Sequence, residues 1–321
     1  MSQKLHHTPV ALERCVELLT PSIERAIAKS GSALVIDATL GLGGHTRLLL
    51  ERFSLLHIIG VDRDLSAIAL AKINVKPFQE RLTIIHGVYD EIDQILADLN
   101  IDYVDGILFD LGVSSMQLDD ADRGFSYSQV APLDMRMDQS QGITAFDILT
   151  TYDKSALVRI LRKYGDEKFA PRIVDNIIKA RESSNLQTTK DLADLVKESI
   201  PAPARRTGGN PAKRTFQALR IEVNQELATL ERAIPAALRA LAIGGRLVVM
   251  SYQSLEDKIV KTLIGQVCAS RTPRGLPIDL PDSAAKYNLV FSGSESASAA
   301  EMDVNPRAQS MRLRAVERLA A

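Results

Sequence analysis

The chain has 321 residues, 45% of them hydrophobic and 25% charged, and carries a formal net charge of −1. This is a globular composition with length for one large domain or two smaller ones, and it excludes a global positive field, so any nucleic-acid surface must be local. Cys15 and Cys268 match no metal or redox spacing, the opening residues lack the apolar core of a signal peptide, and no run approaches the ~18 apolar residues of a membrane span. The expectation is a cytoplasmic protein with no metal and no membrane segment.

Thr8-Pro9 has the form of a helix start, and Leu12, Cys15, Val16 and Leu19 repeat behind it at helical spacing. Thr20-Pro21 repeats the start signal, and Gly31 closes that second helix. From there the pattern alternates. Apolar runs at 33–36, 57–61, 82–85 and 104–109 predict strands, with helical stretches at 45–53, 65–74 and 90–99 between them. Strands alternating with helices predict a parallel sheet covered on both faces, with ligands outside the carboxyl ends of the strands. Those ends carry Asp37, Asp62, Tyr89 and Asp110.

The rhythm breaks at 111–138, which is rich in Gly, Ser, Asp and Met and has no period. A long irregular stretch that keeps its aromatic residues marks function rather than disorder. Stripes at Leu157, Ile160, Leu161 and Tyr164, then at Phe169, Ile173 and Ile177, then at Leu192, Leu195 and Val196 predict three helices. Residues 118–204 therefore read as a mostly helical insertion, a candidate substrate-recognition domain, closed by the Pro- and Gly-rich segment 201–209. It divides an α/β core into 1–117 and 205–321. In the second part Phe216, Leu219, Val223, Leu227 and Leu230 predict one long amphipathic helix, with a new turn or a kink at Pro235. Strands follow at 246–250, 287–291 and 310–316.

The ligand is read from Ala33-Leu-Val-Ile-Asp-Ala-Thr-Leu-Gly-Leu-Gly-Gly-His45, a strand, a glycine turn and a helix start. The glycines admit positive φ or close approach of a ligand, and the helix start offers unpaired N–H groups. Asp62, at the tip of the next strand roughly 20 residues on, is placed to accept from ribose hydroxyls. A dinucleotide site wants a third glycine where this chain has Thr46, and a phosphate loop wants Gly-Lys-Ser/Thr where it has Gly-His-Thr. This disfavours an NAD-dependent oxidoreductase. An adenosine with a small cationic tail needs less anion cradle. S-adenosylmethionine is such a ligand, and its ammonium and sulfonium centres favour Asp37, Asp62 and Asp110.

Arg205, Arg206, Lys213, Arg214 and Arg220 cluster with no acid between 205 and 220, and Arg307, Arg312, Arg314 and Arg318 form a second basic group. Phosphate contacts need such local charge. Arg205, Arg206, Lys213 and Arg214 are candidate RNA contacts, and Arg123 with Phe125 and Tyr127 is a candidate platform for a flipped-out base. The histidines show no metal spacing.

These features, taken together, resemble the bacterial 16S rRNA (cytosine-N4)-methyltransferase family almost end to end. The resemblance rests on Asp37-Ala-Thr-Leu-Gly-Leu-Gly-Gly-His-Thr46, Gly60-Val-Asp-Arg-Asp64, Phe109-Asp-Leu-Gly-Val-Ser-Ser-Met-Gln-Leu118, Arg123-Gly-Phe-Ser-Tyr127 and Pro132-Leu-Asp-Met-Arg-Met-Asp138. It continues in Tyr164-Gly-Asp-Glu-Lys-Phe169, the block from Asn210 to Asn224, Ser254-Leu-Glu-Asp257 and Asn305-Pro-Arg307. It implies a doubly wound, Rossmann-like class I methyltransferase core with an inserted helical domain. It further implies S-adenosylmethionine-dependent methylation of the exocyclic N4 of a cytidine in the decoding (P-site) region of 16S rRNA, within the small ribosomal subunit.

By the same resemblance Gly43, Gly44, His45, Asp62, Tyr89, Asp110 and Gln117 hold the cofactor. Asp110-Leu-Gly-Val-Ser-Ser115 stands where many amino-methyltransferases place an Asp/Asn-Pro-Pro-aromatic motif, which makes Asp110 the candidate catalytic acceptor. Two departures stand out: Tyr89 where many members carry Phe, and Tyr252-Gln253 where many carry Phe-His, which argues against an obligatory histidine base there. The alternative from another class is a non-catalytic RNA-binding assembly factor with a vestigial pocket.

Overall fold

The computed structural model describes residues 9–183, 185–206, 209–270, 272 and 283–320. In chain order the elements are α1 (Leu12–Ser30), β1 (Ala33–Asp37), α2 (Gly44–Arg52), β2 (Leu56–Asp62), α3 (Leu65–Asn74), β3 (Leu82–His86), α4 (Ile92–Asp98), β4 (Val104–Asp110), α5 (Ser115–Asp119) and α6 (Ala145–Thr151). Then come α7 (Lys154–Gly165), α8 (Ala170–Glu182), α9 (Thr189–Ser199), α10 (Lys213–Asn224), α11 (Glu226–Ala240), β5 (Leu241–Ser251), α12 (Ser254–Cys268), β6 (Tyr287–Leu289), α13 (Ala299–Val304) and β7 (Arg312–Arg318). They form two units: one is the chain up to Gly112 together with Leu227 onward, and the other is Val113–Glu226.

In the first unit seven strands form one sheet in the order β3-β2-β1-β4-β5-β7-β6. The first five strands pair in parallel, and β7 runs antiparallel to both β5 and β6. This is the doubly wound, Rossmann-like arrangement that the resemblance implied. Alternate residues face opposite layers. Ile36, Ile107, Phe109, Leu247 and Val249 bury on one side, and Val35, Ile58, Leu108, Val248 and Met250 on the other. Both faces are therefore covered, as a parallel sheet requires. From β1 the chain moves outward to β2 and β3, and it returns to place β4 on the other flank of β1. The carboxyl ends of β1 and β4 thus border the topological switch point, where ligands of open α/β sheets bind.

Pro21 lies inside α1 and does not start a second helix. The buried stripe Cys15, Leu19, Ile23 and Ala26 runs straight through it. Side chains serve the carbonyls nearby: Thr20 Oγ1 donates to Val16, Ser22 Oγ to Leu19 and the Arg246 guanidinium to Leu18. Pro21 forfeits a single helical bond, to the Glu17 carbonyl, and the buried stripe keeps the helix continuous. The expected cap Thr8 lies outside the described residues.

The second unit is helical, with Leu157, Ile160, Leu161, Ile173, Ile177, Leu192 and Val196 in its core. The three predicted helices are α7, α8 and α9, and α6 is an additional short one. The boundary differs from 118–204. Phe216, Ala218 and Leu219 of α10 bury in this same core, so α10 belongs to the helical unit. Gly165 permits the approach: a Cβ there would stand 2.6 Å from the Arg214 carbonyl oxygen. The single long helix expected through Leu230 is two helices. Gln225 takes a left-handed φ of 51°, and Asn224 spends its amide on another segment, accepting from Met137 N–H and donating to the Met135 carbonyl. Pro235 is accommodated within α11.

Candidate functional site

The turn after β1 is shaped by its glycines and by one acid. Gly41 and Gly43 take φ of 53° and 77°, values L side chains rarely adopt. Asp62, ending β2, fixes the turn: its Oδ2 accepts the Gly41 N–H at 2.7 Å, and its Oδ1 accepts the Asp64 N–H at 2.9 Å. Burial pushes the Asp62 carboxyl above the ordinary range. Each carboxylate oxygen accepts more than one bond, so this acid has the acceptors to take a ribose diol as well. Tyr89 opens a short 3-10 turn, Tyr89–Glu91, beyond β3, and its ring meets Phe109 of β4 edge-on with centroids 5.5 Å apart.

Thr46, the residue that breaks the dinucleotide pattern, has a defined task. Its hydroxyl donates to Asp37 Oδ2 at 2.7 Å, with Thr46 fully buried and Asp37 2% exposed. Burial pushes the Asp37 carboxyl up. Asp37 therefore locks the first helix turn to the strand end, whereas it was expected among the carboxylates facing the cofactor's cationic groups.

Asp110 ends β4. Its backbone N–H donates to Thr39 Oγ1 at 2.7 Å, and its Oδ1 accepts from the Tyr252 hydroxyl at 2.7 Å. The Oδ2 lies 4.0 Å from His45 Nδ1. The other ring nitrogen, Nε2, is 3.2 Å from the Val10 carbonyl, which only accepts, so Nε2 carries the hydrogen. Burial lowers the His45 pKa, which keeps the ring neutral and leaves Nδ1 an acceptor. Asp110 Oδ2 and His45 Nδ1 thus form two acceptors side by side, an arrangement suited to a cationic N–H donor.

Gly43, Gly44, His45, Asp62, Tyr89 and Asp110 all gather at the carboxyl ends of β1 to β4. Gln117 belongs to the second unit, where it is buried and caps α5: its Oε1 accepts the Ser114 N–H at 3.0 Å. Thr39 and Tyr252 carry roles that the sequence does not assign to them. Both lie in strand-end turns, which was a positional signal, but their partners are 71 and 142 residues away.

The basic candidates divide. Arg123 is not a base platform: it is 4% exposed and donates to the Arg136 and Met137 carbonyls, pinning the irregular segment from inside. Arg220 holds Glu226 through two bonds, Arg314 holds Asp257 likewise, and Arg318 donates to the Arg239 and Leu241 carbonyls where α11 meets β5. Arg205 donates to the Ile200 carbonyl beyond α9. Lys213 is exposed and Arg214 half-exposed at the start of α10. The side chains of Arg206 and Arg307 lie outside the described residues. Among the described residues no cluster of His, Cys, Asp and Glu could hold a metal, and no helix is long and apolar enough to cross a membrane.

Residues 4–319 match the model of the MraW methylase family. The chain belongs to the MraW methylase family. Ribosomal RNA small subunit methyltransferase H of Renibacterium salmoninarum is 53% identical over 313 residues, covering 98% of this chain and 95% of that protein. The protein of the same name in Mycolicibacterium smegmatis is 54% identical over 313 residues, covering 98% and 84%. Among solved structures, an rRNA methylase from Streptococcus thermophilus aligns over 98% of this chain and 99% of that one, at 12% identity and a TM-score of 0.44. As an MraW methylase with this sheet, the protein is a methyltransferase that uses S-adenosylmethionine. The residues fit that cofactor: an anchored acid for the ribose, an aromatic ring beyond β3, a glycine turn without a phosphate cradle, and paired acceptors for a cationic tail.

Proposed function

We propose that the protein methylates the exocyclic N4 of a cytidine in the decoding (P-site) region of 16S rRNA, acting on the small ribosomal subunit in the cytoplasm. The observation that carries the chemistry is the Asp110 carboxylate, anchored at the switch point by Tyr252 and Thr39 beside the neutral His45. The substrate class is supported by relatives more than half identical across the chain, which are named for small-subunit rRNA.

The bound cofactor would supply the methyl carbon on a cationic sulfur and, as leaving group, would keep the carbon–sulfur electron pair. Asp62 holds the ribose hydroxyls, Tyr89 offers a face to the adenine, and Gly43, Gly44 and His45 border the methionine end. Asp110 accepts an N4–H, which draws the nitrogen lone pair out of the ring toward the methyl carbon. The alkylated nitrogen is acidic, so Asp110 or water takes its proton and no strong base is needed. Alignment of the nitrogen, the methyl carbon and the sulfur supplies most of the acceleration.

The ribose contact has a pH signature. Asp62 accepts best when charged, and its carboxyl titrates above the ordinary range. Affinity for S-adenosylhomocysteine is therefore present above that raised value and is lost as pH falls through it. Calorimetry is expected to show the decline beginning above the ordinary carboxylate value of about 4. An affinity that stays flat down to that value contradicts the assignment.

For RNA, the start of α10 is the footprint best supported among the described residues. Its N-cap, Ala212, makes no side-chain cap and its first turn holds no acid, while Lys213 and Arg214 stand at the end where the helix dipole disfavours cations. An uncapped, basic helix start favours a phosphate. The double variant Lys213→Glu, Arg214→Glu is expected to weaken rRNA binding and to flatten its salt slope by roughly two. An unaltered slope removes both residues from the footprint. The overall reading is tested by tritium transfer from labelled S-adenosylmethionine to small subunits and to duplex DNA. Label in the subunit rRNA alone is expected. The absence of label in rRNA, or label in DNA, overturns it.

A further inference from the structure

Tyr252 belongs to none of the motifs that define the cofactor site, yet it reaches the acid at the centre of it. β4 and β5 lie side by side with Asp110 opposite Met250, so the chain leaving β5 passes the Asp110 carboxylate. The Tyr252 hydroxyl donates to Asp110 Oδ1 at 2.7 Å. The backbone carrying the ring is itself held, because Glu256 Oε2 accepts the N–H groups of Tyr252 at 2.9 Å and Gln253 at 3.1 Å. Gly112, with φ of 98°, lies beneath the ring: a Cβ there would stand 3.7 Å from Tyr252 Cδ2. The neighbouring Gln253 amide is turned elsewhere, its Nε2 donating to Glu256 Oε1 at 3.2 Å. Of these two adjacent side chains, it is therefore the tyrosine that serves Asp110.

We infer that Tyr252 is a positioning residue, holding the Asp110 carboxylate in one rotamer and in its charged form for the methyl-transfer site. The inference rests on the reading of Asp110 given under Proposed function. Several groups face this carboxylate. His45 of α2 lies 4.0 Å from Oδ2, Asp37 of β1 adds a like charge, Cys15 of α1 lies behind, and Glu256 of α12 acts through the Tyr252 loop. Burial pushes the Tyr252 hydroxyl and the Cys15 thiol upward, so both keep their protons near neutrality and the hydroxyl remains a donor. A hydrogen bond to the charged form favours that form and offsets the repulsion from Asp37. Phenylalanine at this position keeps the ring and removes only the donor.

The test compares binding of S-adenosylhomocysteine across pH in wild type, Tyr252→Phe, Asp110→Asn and the double variant, with melting temperatures as a check on folding. In Tyr252→Phe the Asp110-dependent part of the acid limb, which Asp110→Asn removes and which adds to the contribution of Asp62, is expected to move up by about one pH unit. In the Asp110→Asn background the same change is expected to move nothing, since the coupling runs through the carboxylate. An unmoved limb in Tyr252→Phe overturns the inference, as does an equal movement in both backgrounds. These readouts need no RNA. A wild type that binds the cofactor product but methylates no rRNA therefore defeats the substrate reading, while the binding comparison still decides the role of Tyr252.

Discussion

An Asp110→Asn protein is expected to transfer methyl about 100-fold more slowly while binding S-adenosylhomocysteine within about tenfold of wild type. The substitution keeps the shape of the group, and one oxygen is retained to accept from Tyr252. It removes the negative charge. The N4 lone pair is shared with the cytosine ring, and an anionic acceptor for its N–H matters most in the transition state, as positive charge builds on nitrogen. An interaction made mainly there lowers kcat with little effect on ground-state binding. The backbone bond to Thr39 is untouched, so the strand end stays in place. Turnover unchanged in the variant would remove Asp110 from the chemistry. An equal loss of binding and turnover would make it a cofactor contact only.

Asp62→Ala is expected to weaken S-adenosylhomocysteine by about 100-fold or more, since a hydrogen bond to a charged group contributes roughly 1.5–3 kcal/mol and the ribose offers two hydroxyls. A second effect acts in the same direction. Asp62 accepts the Gly41 and Asp64 N–H groups, so its removal also loosens the glycine turn. Asp62→Asn separates the two contributions, because the amide oxygen can still accept from one of these N–H groups. Calorimetry on both variants, alongside their melting temperatures, checks the prediction. Affinity within threefold of wild type in the alanine protein would place the ribose elsewhere.

The sheet was readable in the sequence because each strand is a short apolar run ended by a polar residue or glycine. All seven predicted strands occur, with β5 longer at its start, where Gly244-Gly245 sits at a register shift against β4. Misreadings arose where long-range bonds override local signals. Pro21 looks like a helix start, but Arg246 from β5 serves the Leu18 carbonyl beside it. Val223 and Leu227 share a period, yet Asn224 is committed to the Met135–Met137 backbone and the helix breaks. Arg123 looks like a nucleic-acid contact because a charge carries no mark of burial in a sequence; its partners are carbonyls 13 and 14 residues on. At the site, the strand-end acids could be predicted from position. The division of labour among them could not: Asp37 is bound to Thr46, Asp62 to the glycine turn and Asp110 to Tyr252.

The central claim, transfer of a methyl group to N4 of a decoding-region cytidine, is tested most directly by nucleoside mass spectrometry. Small subunits lacking the modification are incubated with the protein and S-adenosylmethionine, and the 16S rRNA is cut into mapped fragments and digested to nucleosides. The predicted result is one added methyl on the base of a cytidine from the decoding region, co-migrating with an N4-methylcytidine standard. A methyl on the ribose, on another ring position or on another base, or unmodified rRNA from a protein that binds the cofactor, would contradict it.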